Sequence, residues 1–262
     1  GGFTTYGFAP SEKSRQEAAD EGIIVTESLQ ELVEKTPKPR VFWVMVPAGD
    51  VTKGVINDLA ELLDAGDIAV DGGNSYFKDS QENYQRLKDY QIDFLDCGTS
   101  GGLKGEEIGY SMMIGGDQDV YETVRPLFDA LAAPEAYDYM GGPGSGHYVK
   151  MVHNAIEYGM MGAIAEGIHR LEEQRDALDL DVAAAFAPYA HGSIIESNLV
   201  AWLCAAYRRP GHLESIAGEV PRGETEPEME YLLSEHETPI LAAALAQRVG
   251  TRTTPSRVGT LI

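Results

Sequence analysis

Four side chains with the makings of an active site lie within one short stretch, Gly146-His147-Tyr148-Val149-Lys150-Met151-Val152-His153-Asn154-Ala155-Ile156-Glu157-Tyr158. Read as a helix, Lys150, His153, Asn154 and Glu157 fall at i, i+3, i+4 and i+7 and project from one face. Val149, Val152 and Ile156 fall on the opposite face and are expected to pack. Such a polar stripe suits a polyhydroxylated, ionised substrate. A lysine acts as general base when a partly dry pocket lowers its pKa. A glutamate donates a proton when its pKa is raised, and Asn and His can hold hydroxyls in place. The bland alternative is a solvated Lys–Glu ladder, a common helix surface. Two glycine-rich strings upstream weigh against it: Asp71-Gly72-Gly73-Asn74-Ser75 and Gly98-Thr99-Ser100-Gly101-Gly102. Glycine lets backbone N–H groups come close to a bound anion. The plainer account of these strings is a pair of tight turns, with Ser75 as a helix cap.

The elements around these strings decide where they sit. Residues 3–8 read as a strand and 11–21 as a helix, with Ser14 and Glu17 fitting a capping box. Residues 41–46, VFWVMV, form a continuous apolar run, as expected of a strand buried on both faces of a parallel sheet, and Pro47 stops it. Helices are expected at 51–64 and 77–91, strands at 68–70 and 94–97. This alternation predicts βαβ units in a Rossmann-like, doubly wound parallel sheet. Both glycine strings then lie at the carboxyl ends of strands, where such sheets bind ligands. From Gly146 onward strand signals vanish. A long helical pattern runs over 146–177, with Val149, Val152, Ile156, Met160, Ile164 and Ile168 at helical spacing, and further helices follow. The run from Gly141 to Gly146 reads as a hinge. The expected division is therefore an α/β domain over 1–144 and an all-α domain over 145–262.

Composition bounds the partners. The 262 residues, 43% hydrophobic, are enough for two ordinary domains with a sizeable core. There are 42 acidic and 20 basic residues, a net charge of −22 spread along the chain. This predicts a strongly acidic, well-solvated surface suited to high salt, and it argues against nucleic acid or an anionic membrane as partner. No apolar run approaches the ~20 residues of a membrane helix, and the first residues do not read as a signal peptide. Cys97 and Cys204 are too few and too distant for a disulfide framework or a metal site, so a reducing cytoplasm is expected. His147, His169, His191 and His212 read as structural or surface residues, and Met112, Met113, Met160 and Met161 as core.

The strings DGGNS, CGTSGG and GHYVKMVHNAIEYG, in this order and spacing, resemble the 6-phosphogluconate dehydrogenase family, over most of residues 1–245. The SGG loop and a Lys-x-x-x-Asn helix are shared across the wider β-hydroxyacid dehydrogenase superfamily. His153, Glu157 and the full DGGNS string point to the 6-phosphogluconate branch. The resemblance implies oxidative decarboxylation of a phosphorylated sugar acid with reduction of a nicotinamide cofactor, and no metal. It implies Lys150 as the base at the 3-hydroxyl, which then protonates the ketone oxygen, and Glu157 as the acid that protonates C1 of the resulting enediol. It implies that Ser100, Gly101 and Gly102 hold the substrate carboxylate, His153 and Asn154 its hydroxyls, and Tyr158 its phosphate. Asn74, with Val46 and Pro47, would lie beside the nicotinamide. A homodimer or higher homo-oligomer is implied too.

Some positions depart from the family pattern. The resemblance implies an opening strand and a G-x-G-x-x-G turn, whereas this chain begins at Gly1-Gly2-Phe3, entering what reads as the second strand. Where an NAD enzyme places an acid after that strand, this chain has Ala9-Pro10-Ser11 with Lys13 and Arg15, so NADP is expected ahead of NAD, through Ser11 and Lys13. Lys13 and Arg15 equally suit plain solvated helix charges. In place of a Gly-x-Gly-x-Trp-Thr element stands Arg222-Gly223-Glu224-Thr225-Glu226-Pro227. Arg222 is a candidate phosphate ligand opposed by nearby acids, and Arg252, at a family Ser-Arg position, is another. The family's carboxyl-terminal segment does not follow Ile262. Two alternatives stay open: another β-hydroxyacid dehydrogenase acting on a small unphosphorylated acid, and a non-catalytic remnant that keeps the helical dimerisation core.

Overall fold

Strand-forming and helix-forming segments alternate through the first half of a computed structural model, which describes residues 2–102 and 105–262. The order is β1 (Tyr6–Gly7), α1 (Glu12–Asp20), β2 (Ile24–Val25), α2 (Leu29–Lys35), β3 (Val41–Val44), α3 (Asp50–Leu62), β4 (Ile68–Asp71), α4 (Phe77–Asp89), β5 (Asp93–Ser100), α5 (Gly105–Ile108), β6 (Tyr110–Gly116), α6 (Gln118–Leu131) and β7 (Ala132–Gly141). There follow α7 (Ser145–Glu173), α8 (Arg175–Leu178), α9 (Val182–Ala190), α10 (Asn198–Tyr207), α11 (Glu226–Glu235), α12 (Pro239–Gly250) and α13 (Arg257–Leu261). The chain divides into two compact units, Gly1–Lys150 and Met151–Ile262. The division falls inside α7, past the glycine-rich segment. No helix among the described residues is long and apolar enough to cross a membrane.

In the first unit β3 to β7 form one sheet in chain order, while β1 and β2 pair parallel in a separate two-stranded sheet. The five-stranded sheet is parallel except between β5 and β6. Two apolar clusters cover it. One gathers Phe42, Val44, Ile56, Leu59, Leu87 and Phe94, the other Val70, Leu95, Ile114, Val124 and Phe128. Arg40, just ahead of β3, is buried and bonds Asp67 through Nε at 3.0 Å and Asp64 through Nη2 at 2.6 Å, fixing the starts of β3 and β4 to each other.

Several expectations need correction. The strand over 3–8 shrinks to Tyr6–Gly7, because only these residues have a partner, in β2. The cap of α1 is Ser11, whose Oγ accepts from the Ser14 amide, so Ser14 and Glu17 are not a capping box. β3 is covered on both faces, but unequally. Phe42 and Val44 are buried in one cluster, whereas Trp43 packs only half-buried against the other and Val41 is exposed at the start of this edge strand. β5 does not stop at Cys97 but runs to Ser100, carried on by antiparallel pairing with β6. β6 and β7 lie outside the expected strands: β6 has only the short apolar run Met112-Met113-Ile114, followed by two glycines, and β7 mixes Ala and Tyr with Pro134, Glu135 and Asp138.

The second unit is helical. One cluster packs Ala165, Ile168, Phe186, Val200 and Cys204; another packs Ala155, Tyr158, Met229, Ala244 and Leu245. The packing face of α7 differs from the one expected. Val149 and Ile156 are exposed, whereas Met151, Asn154, Ala155 and Tyr158 are buried. Met160, expected in the core, is 41% exposed.

Candidate active site

In the first unit the site is built on the carboxyl ends of β3, β4 and β5. After β4, the Gly72 amide donates to the Val44 carbonyl at 2.9 Å, and a Cβ at Gly72 would run into the Trp43 indole. A Cβ at Gly73 would lie 3.2 Å from the Val46 carbonyl oxygen and 3.4 Å from Ser75 Oγ. The Asp71-to-Ser75 loop is therefore folded tightly against the end of β3, with no room for a side chain at Gly72 while Trp43 keeps its place and little at Gly73. Asn74 is half-buried there. Ser75 is buried but is not the cap of α4; that position is Tyr76. Pro47 is exposed and accepts the Thr52 hydroxyl on its carbonyl at 2.9 Å.

β5 carries the second string. Alternate residues of a strand share a face, so Asp96, Gly98 and Ser100 point the same way. α7 begins on that face. Gly146 sits so near the Met113 and Asp96 carbonyls that no side chain fits, and a Cβ at Gly98 would overlap the Cβ of Lys150. The Lys150 stem thus crosses β5 at Gly98, two residues and about 7 Å short of Ser100. Gly101 and Gly102 take φ of 134° and 54°, conformations that favour glycine. Lys150 is also the last lysine of the chain; residues 151–262 contain none.

Asp96 is fully buried. Its Oδ1 accepts from the Gly144 amide at 2.7 Å and its Oδ2 from the His147 amide at 2.8 Å. Burial pushes its carboxyl up from the ordinary value, while His147 and the two amides pull it back. The buried His147 ring meets Ser80 Oγ at 2.7 Å through Nδ1. Cys97, next to Asp96, is buried with its thiol pushed up to about 12 by desolvation, so it is inert.

In the second unit, His153 and Glu157 lie one turn apart with Nδ1 3.9 Å from Oε2, each side chain 38% exposed. Asn154 is buried, its Nδ2 donating to Glu228 at 3.3 Å. The Tyr158 hydroxyl bonds Thr225. The Arg248 guanidinium lies 4.0 Å over the Tyr158 ring, and its Nε and Nη1 are buried with no hydrogen-bond partner. Arg252 is engaged otherwise: it forms a forked pair with the buried Glu226 and donates to the Val220 carbonyl at 3.1 Å. Arg222 is more exposed and reaches Glu230 at 3.3 Å. A separate hollow of about 410 Å³ around Glu172, Arg175, Tyr207 and Arg257 lies fifteen residues further along α7 than Glu157, roughly 22 Å at 1.5 Å per residue.

Of the residues proposed for the cofactor's far end, Ser11 is spent capping α1 and Lys13 stands in solvent, 3.6 Å from Glu17. Three residues escaped the sequence reading. Asp96 is an acid inside the apolar run of β5, Arg248 a cation in the last turn of α12, and Glu228 an acid near the start of α11. An isolated charge within an apolar segment was the signal for Asp96; Arg248 carried none, since cations are ordinary in a last helical turn. Glu228 carried none, since acids are ordinary in a first helical turn.

Comparison with known proteins follows the same division. The model of the NAD binding domain of 6-phosphogluconate dehydrogenase matches residues 1–142, and that family's C-terminal domain matches residues 146–216. The NAD(+)-dependent, decarboxylating 6-phosphogluconate dehydrogenase of Haloferax volcanii is 39% identical over 255 residues, covering 96% of this chain and 84% of that protein. A Plasmodium falciparum 6-phosphogluconate dehydrogenase, studied apo, with NADP+ and with 6-phosphogluconate, superposes with a TM-score of 0.80 at 26% identity, covering 95% of this chain and 57% of that one. Mycobacterium tuberculosis 3-hydroxyisobutyrate dehydrogenase shares the fold at a TM-score of 0.77 and 19% identity, covering 99% and 90%.

Proposed function

The chain belongs to the 6-phosphogluconate dehydrogenase family, and on that premise we propose that it converts 6-phospho-D-gluconate to ribulose 5-phosphate and CO2 with reduction of NAD(P)+. The observation that carries this reading is the Lys150 stem lying across Gly98 on the face that leads to Ser100.

The loops at the ends of β3 and β4 fit a dinucleotide. A Cβ at Gly73 would lie only 3.2 Å from the Val46 carbonyl oxygen, so the two loops run close together, and Val46, Pro47 and Asn74 belong to them. Those three residues would hold the nicotinamide end, with Ser11 and Lys13 toward the other end. A bound dinucleotide would supply the acceptor for the hydride lost from C3 of the substrate. The Lys150 amine removes the 3-hydroxyl proton as the hydride leaves. Its ammonium then hands that proton to the new ketone oxygen, so the electrons of the breaking bond to the carboxylate have somewhere to go. Ser100 and the backbone at Gly101 and Gly102 hold the carboxylate until it departs as CO2. Glu157 then protonates C1 of the enediol. His153 and Asn154 orient hydroxyls, the buried amide of Asn154 being fixed by Glu228. Tyr158 contacts the phosphate. Arg248, stacked on Tyr158 with unpartnered donors, is better placed to meet that phosphate than Arg252, whose guanidinium is occupied by Glu226. Arg222 stands at the rim.

The domain roles follow: a dinucleotide-binding domain over 1–144 and a domain over 145–262 that binds substrate and dimerises. A homodimer is supported by the apolar groove of about 370 Å³ around Met161, Leu199, Trp202 and Ile216, and by exposed Ile156 and Met160. A cytoplasmic setting accords with the two free thiols. NADP is favoured over NAD by Ala9-Pro10-Ser11 standing just after β1, where an NAD enzyme places an acid.

The deciding experiment is a titration with NADPH and NADH in high salt, followed by nicotinamide fluorescence and by turnover of 6-phosphogluconate. Saturable binding with turnover supports the enzyme and settles the cofactor. Binding of neither would leave the chain a non-catalytic member of its family.

A further inference from the structure

We propose that Asp96, His147 and Ser80 form a buried positioning node that sets the first turn of α7, and with it the Lys150 amine, against the two glycine-rich loops. The proposal rests on the reading of Lys150 as the base.

The first turn of any helix has N–H groups without intrahelical partners. A capping box satisfies two of them, the N-cap amide and the N3 amide, with side chains from those same two positions. Here the N-cap position is Gly144, which has no side chain, and N3 is His147, whose ring points elsewhere. Asp96, from β5, supplies both missing acceptors: Oδ1 takes the Gly144 amide at 2.7 Å and Oδ2 the His147 amide at 2.8 Å. One carboxylate from another element thus replaces both halves of the box and places negative charge at the positive end of the helix. It also fixes the first turn of α7 to β5 four residues before Ser100, on the face where the Lys150 stem lies.

His147 carries the linkage further. It is a neighbour of Lys150 at i, i+3, and its Nδ1 meets Ser80 Oγ at 2.7 Å. Ser80 sits in the first turn of α4, directly after the Asp71-to-Ser75 loop, and its hydroxyl also reaches the Tyr76 carbonyl at 3.4 Å. The three segments that carry the motifs therefore share one buried set of side chains. Glycine at 98 and 146 removes the bulk that would otherwise keep α7 off the sheet. A lysine on a long flexible stem needs such a fixed root, because a displacement of about 1 Å in a reacting group can cost on the order of 100-fold in rate.

The test compares wild type with Asp96→Asn, His147→Gln and Ser80→Ala. Asp96→Asn keeps the shape but turns an NH2 toward one of the two helix amides. The readouts are kcat and KM for 6-phosphogluconate, NADPH affinity by fluorescence, near-UV circular dichroism, and the rate of Lys150 labelling by trinitrobenzenesulfonate across pH, followed by mass spectrometry. Asp96→Asn is expected to lower kcat by about 10- to 100-fold with KM and NADPH affinity changed less than about 3-fold, and to move the midpoint of the Lys150 labelling profile. His147→Gln should do the same to a smaller degree. If Asp96→Asn does not fold, Ser80→Ala, which removes a single hydrogen bond, carries the test. Folded variants that keep wild-type kcat and an unchanged labelling profile overturn the proposal. Equal turnover by wild type and Lys150→Ala would instead sink the assignment of the base; the labelling profile would still report whether the node positions Lys150.

Discussion

At the scale of single residues, the chemistry turns on one amine and one guanidinium. Replacing Lys150 with alanine should reduce hydride transfer by at least about 10²-fold with the circular dichroism unchanged; single-turnover NADPH formation is the measurement, and near-normal formation would remove the residue from its role. Arg248 and Arg252 make a sharper contrast. Arg248→Ala should raise KM for 6-phosphogluconate by about 10- to 100-fold, the worth of a charged hydrogen bond, with little change in melting temperature. Arg252→Ala should act the other way round, because it leaves the buried Glu226 with only the exposed Arg222, 3.8 Å away; a loss of up to about 3 kcal/mol in urea unfolding is expected. If Arg252→Ala leaves stability alone and raises KM instead, the two assignments are exchanged. The sequence suggested Arg252 and passed over Arg248, since spacing alone does not tell which cation an acid has already claimed.

At the scale of elements, the pairing of Glu226 with Arg252 joins the start of α11 to the residues that follow α12. Arg252 holds the Glu226 carboxyl below its ordinary value of 4.5. The unfolded chain then binds this proton more readily than the folded one, so the pair's stabilisation is complete above pH 4.5 and is lost as pH falls through the depressed value. The difference in melting temperature between wild type and Glu226→Gln should be constant near neutrality and shrink below about pH 4.5; a difference independent of pH would mean the carboxylate is not what holds these helices. Much at this scale was legible beforehand. The βα alternation, the long helix after residue 145 and the positions of both glycine strings follow from apolar runs and turn residues. The face of α7 did not. Val149, Val152, Ile156 and Met160 have the period of a core stripe, yet Val149, Ile156 and Met160 are exposed while Asn154 is buried. Periodicity reports that one side of a helix is apolar; what covers that side depends on tertiary neighbours. The end of β5 differs for a related reason: Gly98 is a poor strand former and opens a glycine-rich string, yet Gly98 and Thr99 are held extended by Met113 and Met112 of β6.

For the whole molecule, the net charge of −22 is the dominant fact. At 0.1 M salt charges act over about 10 Å, and at 1 M over about 3 Å, so much of the self-repulsion between surface carboxylates disappears on that change. The melting temperature should therefore rise between 0.1 and 1 M KCl; a flat or falling curve would show that local ion pairs already neutralise the surface. The phosphorylated substrate enters against the same field, so its KM should fall over the same range. The chain is short of lysine as well as rich in acid, and Lys150 stands last. A protease that cuts only after lysine, applied to the denatured chain, will release residues 151–262 in one piece, the entire second unit. Acylation of the Lys150 amine blocks that cut and leaves residues 105–262 instead. The ratio of the two fragments on a gel would then serve as a direct gauge of how reactive that one amine is in the folded protein.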